Sequence, residues 1–181
     1  MKSSLLIISV LCVVYNVMPL FAMPISCSGE SPENYMRLQI LERLHTRIKP
    51  SAESLKQEVG SVIPGWAKPY LDAAPPVTGF PSMSASGNCS FCNQISDCFN
   101  NDCEPLEILM RFVNSEMSSD YTTEIVKLTA DLSVVREQMG CEAIHISPPV
   151  DIFQEKDTDY RIAKDTVEFL DILEQRYSTV Y

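Results

Sequence analysis

Histidine, glycine and positive charge are all scarce in this chain, and each shortage argues against a class of function. The two histidines, His45 and His145, have no neighbours at metal-ligand spacing, so no metal site is expected. The six glycines build no phosphate-cradling loop, and no G-x-S-x-G step presents a nucleophilic serine. Carboxylates are spread along helix faces in the manner of a solvated surface. An enzyme is not expected, nor a cofactor. Fourteen basic residues against 24 acidic ones give a formal charge of −10, which repels nucleic acid and anionic membranes and favours basic protein surfaces. No segment sustains period-two alternation, so a sheet is not expected.

Long apolar runs are missing too, except at the N-terminus. Lys2 precedes an apolar core, Leu5 to Val14, that is too short to span a bilayer, and small residues near Ala22 offer a cleavage site. Tyr15, Asn16, Pro19 and Pro24 argue against a long membrane helix. Residues 1–22 therefore read as a signal peptide and 23–181 as one secreted helical domain. Removing Lys2 with the leader changes the charge from −10 to −11, and 181 minus 22 leaves 159 residues, enough for a hydrophobic core.

Cys12 leaves with that segment, reducing seven cysteines to six. An even number in an oxidising compartment predicts three disulfides. Cys89-x2-Cys92 and Cys98-x4-Cys103 lie too close together for a zinc ribbon. Cys27 precedes the first predicted helix and Cys141 follows the third, ends that can be neighbours in a bundle, so a Cys27–Cys141 bridge is preferred. Cys89, Cys92, Cys98 and Cys103 then pair locally in one of three ways. Asn88-Cys89-Ser90 is the one glycosylation sequon, on a predicted loop.

Four helical segments are predicted. The first, about 31–60, opens on Ser31-Pro32-Glu33, a capping hydroxyl, a proline where no donor is needed and a carboxylate at the positive helix end. Leu41, Leu44, Ile48, Ala52, Leu55 and Val59 keep one stripe across Pro50, which predicts a kinked helix rather than two. A proline-rich crossover fills 61–103. The second helix, about 104–118, presents Leu106, Leu109, Met110, Val113 and Met117. The third, about 119–140, presents Ile125, Leu128, Leu132, Val135 and Met139 and closes at Gly140. A second crossover, 141–151, leads to the last helix, about 152–178. There Tyr160, Ala163, Val167, Leu170 and Leu173 face inward, and Lys164, Asp165, Glu168, Asp171 and Glu174 outward, with Lys164 and Glu168 placed to pair. Two long crossovers around a short middle connection suit an all-α, up-up-down-down four-helix bundle.

The step Asp151-Ile152-Phe153-Gln154-Glu155-Lys156 resembles the start of the last helix in the leukaemia inhibitory factor and oncostatin type of the interleukin-6 cytokine family. Val77-Thr78-Gly79-Phe80-Pro81 resembles that type's first crossover, Ser51-Ala52-Glu53-Ser54-Leu55 the second half of its first helix, and Met23-Pro24-Ile25-Ser26-Cys27 its mature N-terminus. The likeness is best over 23–81 and 141–177 and poor over 88–118. A family bridge from the first crossover to the last helix is missing at both ends, with Tyr160 at the helix position and no cysteine around Ala73-Ala74.

The resemblance implies a secreted cytokine or growth factor, monomeric before it binds, that brings together cell-surface receptors of the leukaemia inhibitory factor receptor and glycoprotein-130 types. Phe153 and Lys156 would contact the first. An i, i+3 pair shares one helix face, the ring serving as an anchor and the ammonium setting register. Arg43, Arg47 and Asp131, on the first and third helices, are candidates for the second surface. The plainer reading makes Phe153 a bundle cap and the charges solvated. Two other classes are a secreted carrier of small apolar ligands and the pro-segment of a larger growth factor, although the latter needs a basic cleavage site and a cystine-rich domain.

Overall fold

A computed structural model describes residues 31–83, 94–142 and 156–178, and these are helical with no strand among them. The elements are α1 (Pro32–Arg43), a π-helical turn (Leu44–Ile48), α2 (Lys49–Ser61), α3 (Lys68–Asp72), α4 (Ile95–Arg111), a second π turn (Phe112–Glu116), a 3-10 turn (Ser119–Tyr121), α5 (Thr122–Gln138) and α6 (Lys156–Ser178).

The Ser31 side chain accepts the Asn34 amide at 3.1 Å, and Pro32 begins α1, as a capping hydroxyl before a proline predicts. Helical backbone then continues to Ser61. Pro50 has no amide donor, and its ring crowds the carbonyl four residues back. The turn just before it is widened, with the Lys49 amide donating to the Leu44 carbonyl. Ile40, Leu44, Ile48, Ala52, Leu55 and Val59 are all buried. Ile40 takes the core position expected of Leu41, which is only partly buried.

The first crossover is shorter than expected, because α4 begins at Ile95 and runs through Pro105. Ile95, Cys98, Phe99, Cys103, Leu106 and Leu109 form a buried stripe at helical spacing. Burial of that stripe outweighs the one backbone bond that Pro105 forgoes. The cysteine pairing also differs from expectation. Cys103 bridges Cys141, with Cα atoms 5.4 Å apart, so neither Cys27–Cys141 nor a purely local pairing of the other four is formed. Cys98 is also in a disulfide. Cys27, Cys89, Cys92 and Asn88 lie outside the described residues.

The end of α5 explains the new bridge. Gly140 has φ +75°; its amide donates to the Glu137 carbonyl, and that of Cys141 to the Arg136 carbonyl. This double closure is a Schellman motif. It turns the chain back over α5 and points Cys141 at the middle of α4.

Contacts between helices follow a consistent chain order. Arg37 donates to the Tyr177 carbonyl, Lys49 pairs with Asp171 at 2.6 Å, and Gly60 lies against the Tyr160 ring, so positions later along α1 and α2 meet positions earlier along α6. Gln39 meets Gln138, and Arg43 meets Asp131. Cys103 meets Cys141, and Glu107 pairs with Arg136 at 2.8 Å. Asp102 pairs with Arg176 at 3.0 Å, while the Ser118 amide donates to Asp159.

Candidate interaction surfaces

Arg43, Arg47 and Asp131 come together. Asp131 is buried on α5, and its Oδ1 takes Arg43 at 3.0 Å and Arg47 at 3.2 Å. They are therefore not three separately solvated charges. Each guanidinium has five donors, so one shared oxygen leaves both with capacity for another carboxylate. Arg47 is exposed, and the pair borders an open cleft of about 250 Å³ lined also by Gln39, Glu42, Thr46 and Gln138. The π turn carries Arg47, and such turns recur where a helix face is used for binding.

The start of α6 is held by a strap of crossover. The Tyr160 hydroxyl donates to Asp72 at 2.8 Å. Lys164 donates to the Ala74 carbonyl at 2.9 Å, Arg161 to the Pro75 carbonyl at 2.8 Å, and the Val77 amide to Asp165 at 2.9 Å. Lys164 and Asp165 are consequently buried, contrary to the outward face expected of them, and Lys164 lies beside Asp165 and binds the strap instead of reaching Glu168. Residues 72–77 cover this side, so α6 is enclosed on faces that an uncovered helix would leave in water. Tyr160, Ala163, Val167, Leu170 and Leu173 are buried as expected. Burial, then the Asp72 carboxylate, pushes the Tyr160 hydroxyl up to about 12.

Asp159, one residue earlier, accepts the Ser118 amide at 3.1 Å. Burial raises its carboxyl above the usual range, with Asp120 adding to the rise and the Ser118 bond opposing it. These contacts fix the first turn of α6, which begins at Lys156. Phe153 and the side chain of Lys156 lie outside the described residues.

At the far end of α6 the Tyr177 hydroxyl donates to Asp102 at 2.8 Å, and its ring meets Phe99 edge-on. Burial, then Asp102, pushes that hydroxyl upward. Burial also raises Asp102, against the pull of Arg176 and Tyr177. This buried network clamps α4 to α6.

Trp66 and Tyr70 do not stand out in the sequence, since they fall in a proline-rich stretch without a sustained period. The structure leaves both 75% exposed. The usable signal was their spacing of four, because two aromatics one helical turn apart share a face.

Comparison with known proteins gives no match, for no family model, curated protein or solved structure aligns with the chain.

Proposed function

We propose that this chain is a secreted helical cytokine that binds two receptor chains, of the leukaemia inhibitory factor receptor and glycoprotein-130 types, and brings them together to start kinase-linked signalling. The observation that carries this reading is the sense of the helix contacts. The α1–α2 rod meets α5 and α6 in opposite chain order, through Gln39–Gln138, Arg43–Asp131, Lys49–Asp171 and Arg37–Tyr177. The α4 helix does the same, through Cys103–Cys141, Glu107–Arg136, Asp102–Arg176 and Ser118–Asp159. Two helices that each oppose the same other two run parallel to one another in this reading, which supports an up-up-down-down bundle.

The strap adds support. Tyr160 stands at the helix position of the disulfide that the family carries from its first crossover, and its hydroxyl reaches Asp72, next to Ala73-Ala74. A hydrogen bond thus joins the two regions that the family joins covalently. In this reading Phe153 and Lys156 form the surface for the leukaemia inhibitory factor receptor type, and Arg43 and Arg47, oriented by Asp131, the surface for the glycoprotein-130 type.

The test is a binding titration of the secreted chain against the soluble ectodomain of each receptor type. Phe153→Ala/Lys156→Ala is expected to weaken the first interaction at least ~30-fold, the loss typical of a truncated central anchor. Helicity by circular dichroism should stay unchanged. Unaltered binding by the folded double variant removes the first surface, and wild-type binding to neither ectodomain removes the whole reading.

A further inference from the structure

Most of the serines and threonines lie in helices. Among the described residues, those outside the helices and helical turns are Ser31, Thr78, Ser82 and Ser118. Ser31 and Ser118 cap the turns that follow them, accepting the amides of Asn34 at 3.1 Å and Asp120 at 3.3 Å. Thr78 and Ser82 are exposed. The Thr78 hydroxyl makes no hydrogen bond among the described residues.

Thr78 stands at the apex of an anchored turn. The Phe80 amide donates to the Val77 carbonyl at 2.9 Å. Gly79, next to Thr78, has φ +82°, the backbone sign that a type II turn asks of its third residue. Both ends of the turn are fixed. Val77 is buried, and its amide donates to Asp165 at 2.9 Å. The Phe80 ring meets that of Phe112 edge-on, with centroids 5.4 Å apart. Between these ends, Thr78 and Gly79 are both exposed. Ser82 is less open, because Pro81 before it is buried and Met83 after it packs against the core.

Prolines frame the turn, with Pro75 and Pro76 exposed before it and Pro81 after it. Proline disfavours a helix interior, and the stretch stays open. In a helix a threonine hydroxyl turns back onto the carbonyl four residues earlier, as those of Thr46 and Thr129 do. The Thr78 hydroxyl is held away from any such partner. Hydroxyl residues set among prolines are the composition that carries O-linked sugar on secreted chains.

We propose that Thr78 is an O-glycosylation site that takes an N-acetylhexosamine from a nucleotide-activated sugar. Its Oγ1 attacks the anomeric carbon of the donor. A carbon–oxygen bond forms there as the bond from that carbon to the nucleoside diphosphate breaks. The diphosphate leaves with the electron pair, and the hydroxyl proton passes to a base of the transferase. The inference rests on the secreted part of the functional reading, and it is separate from the amide-linked sequon at Asn88. A sugar at this apex adds bulk and hydration to the crossover without displacing a contact of the fold.

The experiment secretes the full chain from cultured animal cells and removes any asparagine-linked glycan enzymatically. Peptides of wild type, Thr78→Ala, Thr78→Ser and Ser82→Ala are then mapped by mass spectrometry with electron-transfer fragmentation. Wild type is expected to carry the added mass of an N-acetylhexosamine on Thr78. Thr78→Ala should lose it and still be secreted at the wild-type level, since the hydroxyl holds nothing in the fold. Thr78→Ser and Ser82→Ala should keep it. A secreted wild type with Thr78 unmodified overturns this inference alone. Sugar on Ser82 with Thr78 unmodified, or a phosphate on Thr78, overturns it as well. Wild type that stays inside the cell without sugar overturns the secreted reading and this inference with it.

Discussion

The hydroxyl of Tyr160 donates to a carboxylate oxygen of Asp72 at 2.8 Å, and this one contact ties the first crossover to the first turns of α6. Residues 88 positions apart in sequence are thereby held where α2 ends and α6 begins.

Tyr160→Phe removes the hydroxyl and lets the exposed Asp72 return to water. A loss of about 1 kcal/mol is expected by urea unfolding, the usual net value of such a bond. Amide exchange should quicken at 72–77 before it does in α5. A variant with unchanged exchange in the strap would show that the bond does not hold it. Alkaline pH acts on the same bond. The hydroxyl is raised from 10.0 to about 12, so the folded chain keeps its proton longer than the unfolded chain. Stability is intact below pH 10 and declines as pH rises towards about 12. Ultraviolet titration of wild type against Tyr160→Phe should isolate one late-ionising tyrosine.

The Cys103–Cys141 bridge closes a separation of 38 residues. In the chain-entropy model a loop of that size stabilises the fold by about 4 kcal/mol. Cys103→Ser/Cys141→Ser should lower urea stability by about that amount and remain helical. Peptide mapping without reductant should recover Cys103 linked to Cys141. A peptide joining Cys27 to Cys141 would return the pairing to the one expected from sequence.

Asp102 is shared by Arg176 and Tyr177 in the interior. Asp102→Ala removes the common acceptor, and a loss of about 3 kcal/mol is expected. Replacing the network together, as Asp102→Leu/Arg176→Met/Tyr177→Phe, should recover much of it, because no buried charge remains. Burial raises the folded-state carboxyl of Asp102. Its contribution to stability therefore falls as pH rises from the ordinary value of 3.8 through the raised one. Asp102→Asn should lack that part of the pH dependence in unfolding measured from acid to neutral pH.

Gly60 lets α2 approach the Tyr160 ring of α6. A β-carbon there would lie 3.0 Å from the Tyr160 ring, so Gly60→Ala forces the ring or the strap to move. A loss of about 1–3 kcal/mol is expected, typical of overpacking. A variant as stable as wild type, with the Tyr160 titration unshifted, would mean that the ring gives way freely.

Local physics made much of the helical framework readable. The Ser31-Pro32 start, the stripe from Leu44 to Val59, the α5 stripe and Gly140 depend on capping, period and backbone freedom within a few residues, all of which the sequence carries directly. The start of α4 was placed near Glu104 instead of Ile95 because Pro105 suits a first turn and the clustered cysteines before it have no helical signature of their own. The stripe Ile95, Cys98, Phe99, Cys103, Leu106 was there, but cysteine reads as core only once its partner is known. Of the candidate site, the sequence singled out Arg43, Arg47 and Asp131 as separate charges. Their meeting at one carboxylate oxygen depends on how α1 packs on α5.

By itself the sequence determined the α1–α2 rod, α5 and α6 and the apolar stripe each one buries, because those choices are made within one or two turns of chain. Tertiary structure alone decided that Cys141 reaches Cys103, that Lys164 and Asp165 are buried beneath a strap, and that Trp66 and Tyr70 stay in water. In each case the deciding partner lies far along the chain. Side-chain type and spacing give the face a residue occupies, and only packing gives what covers that face.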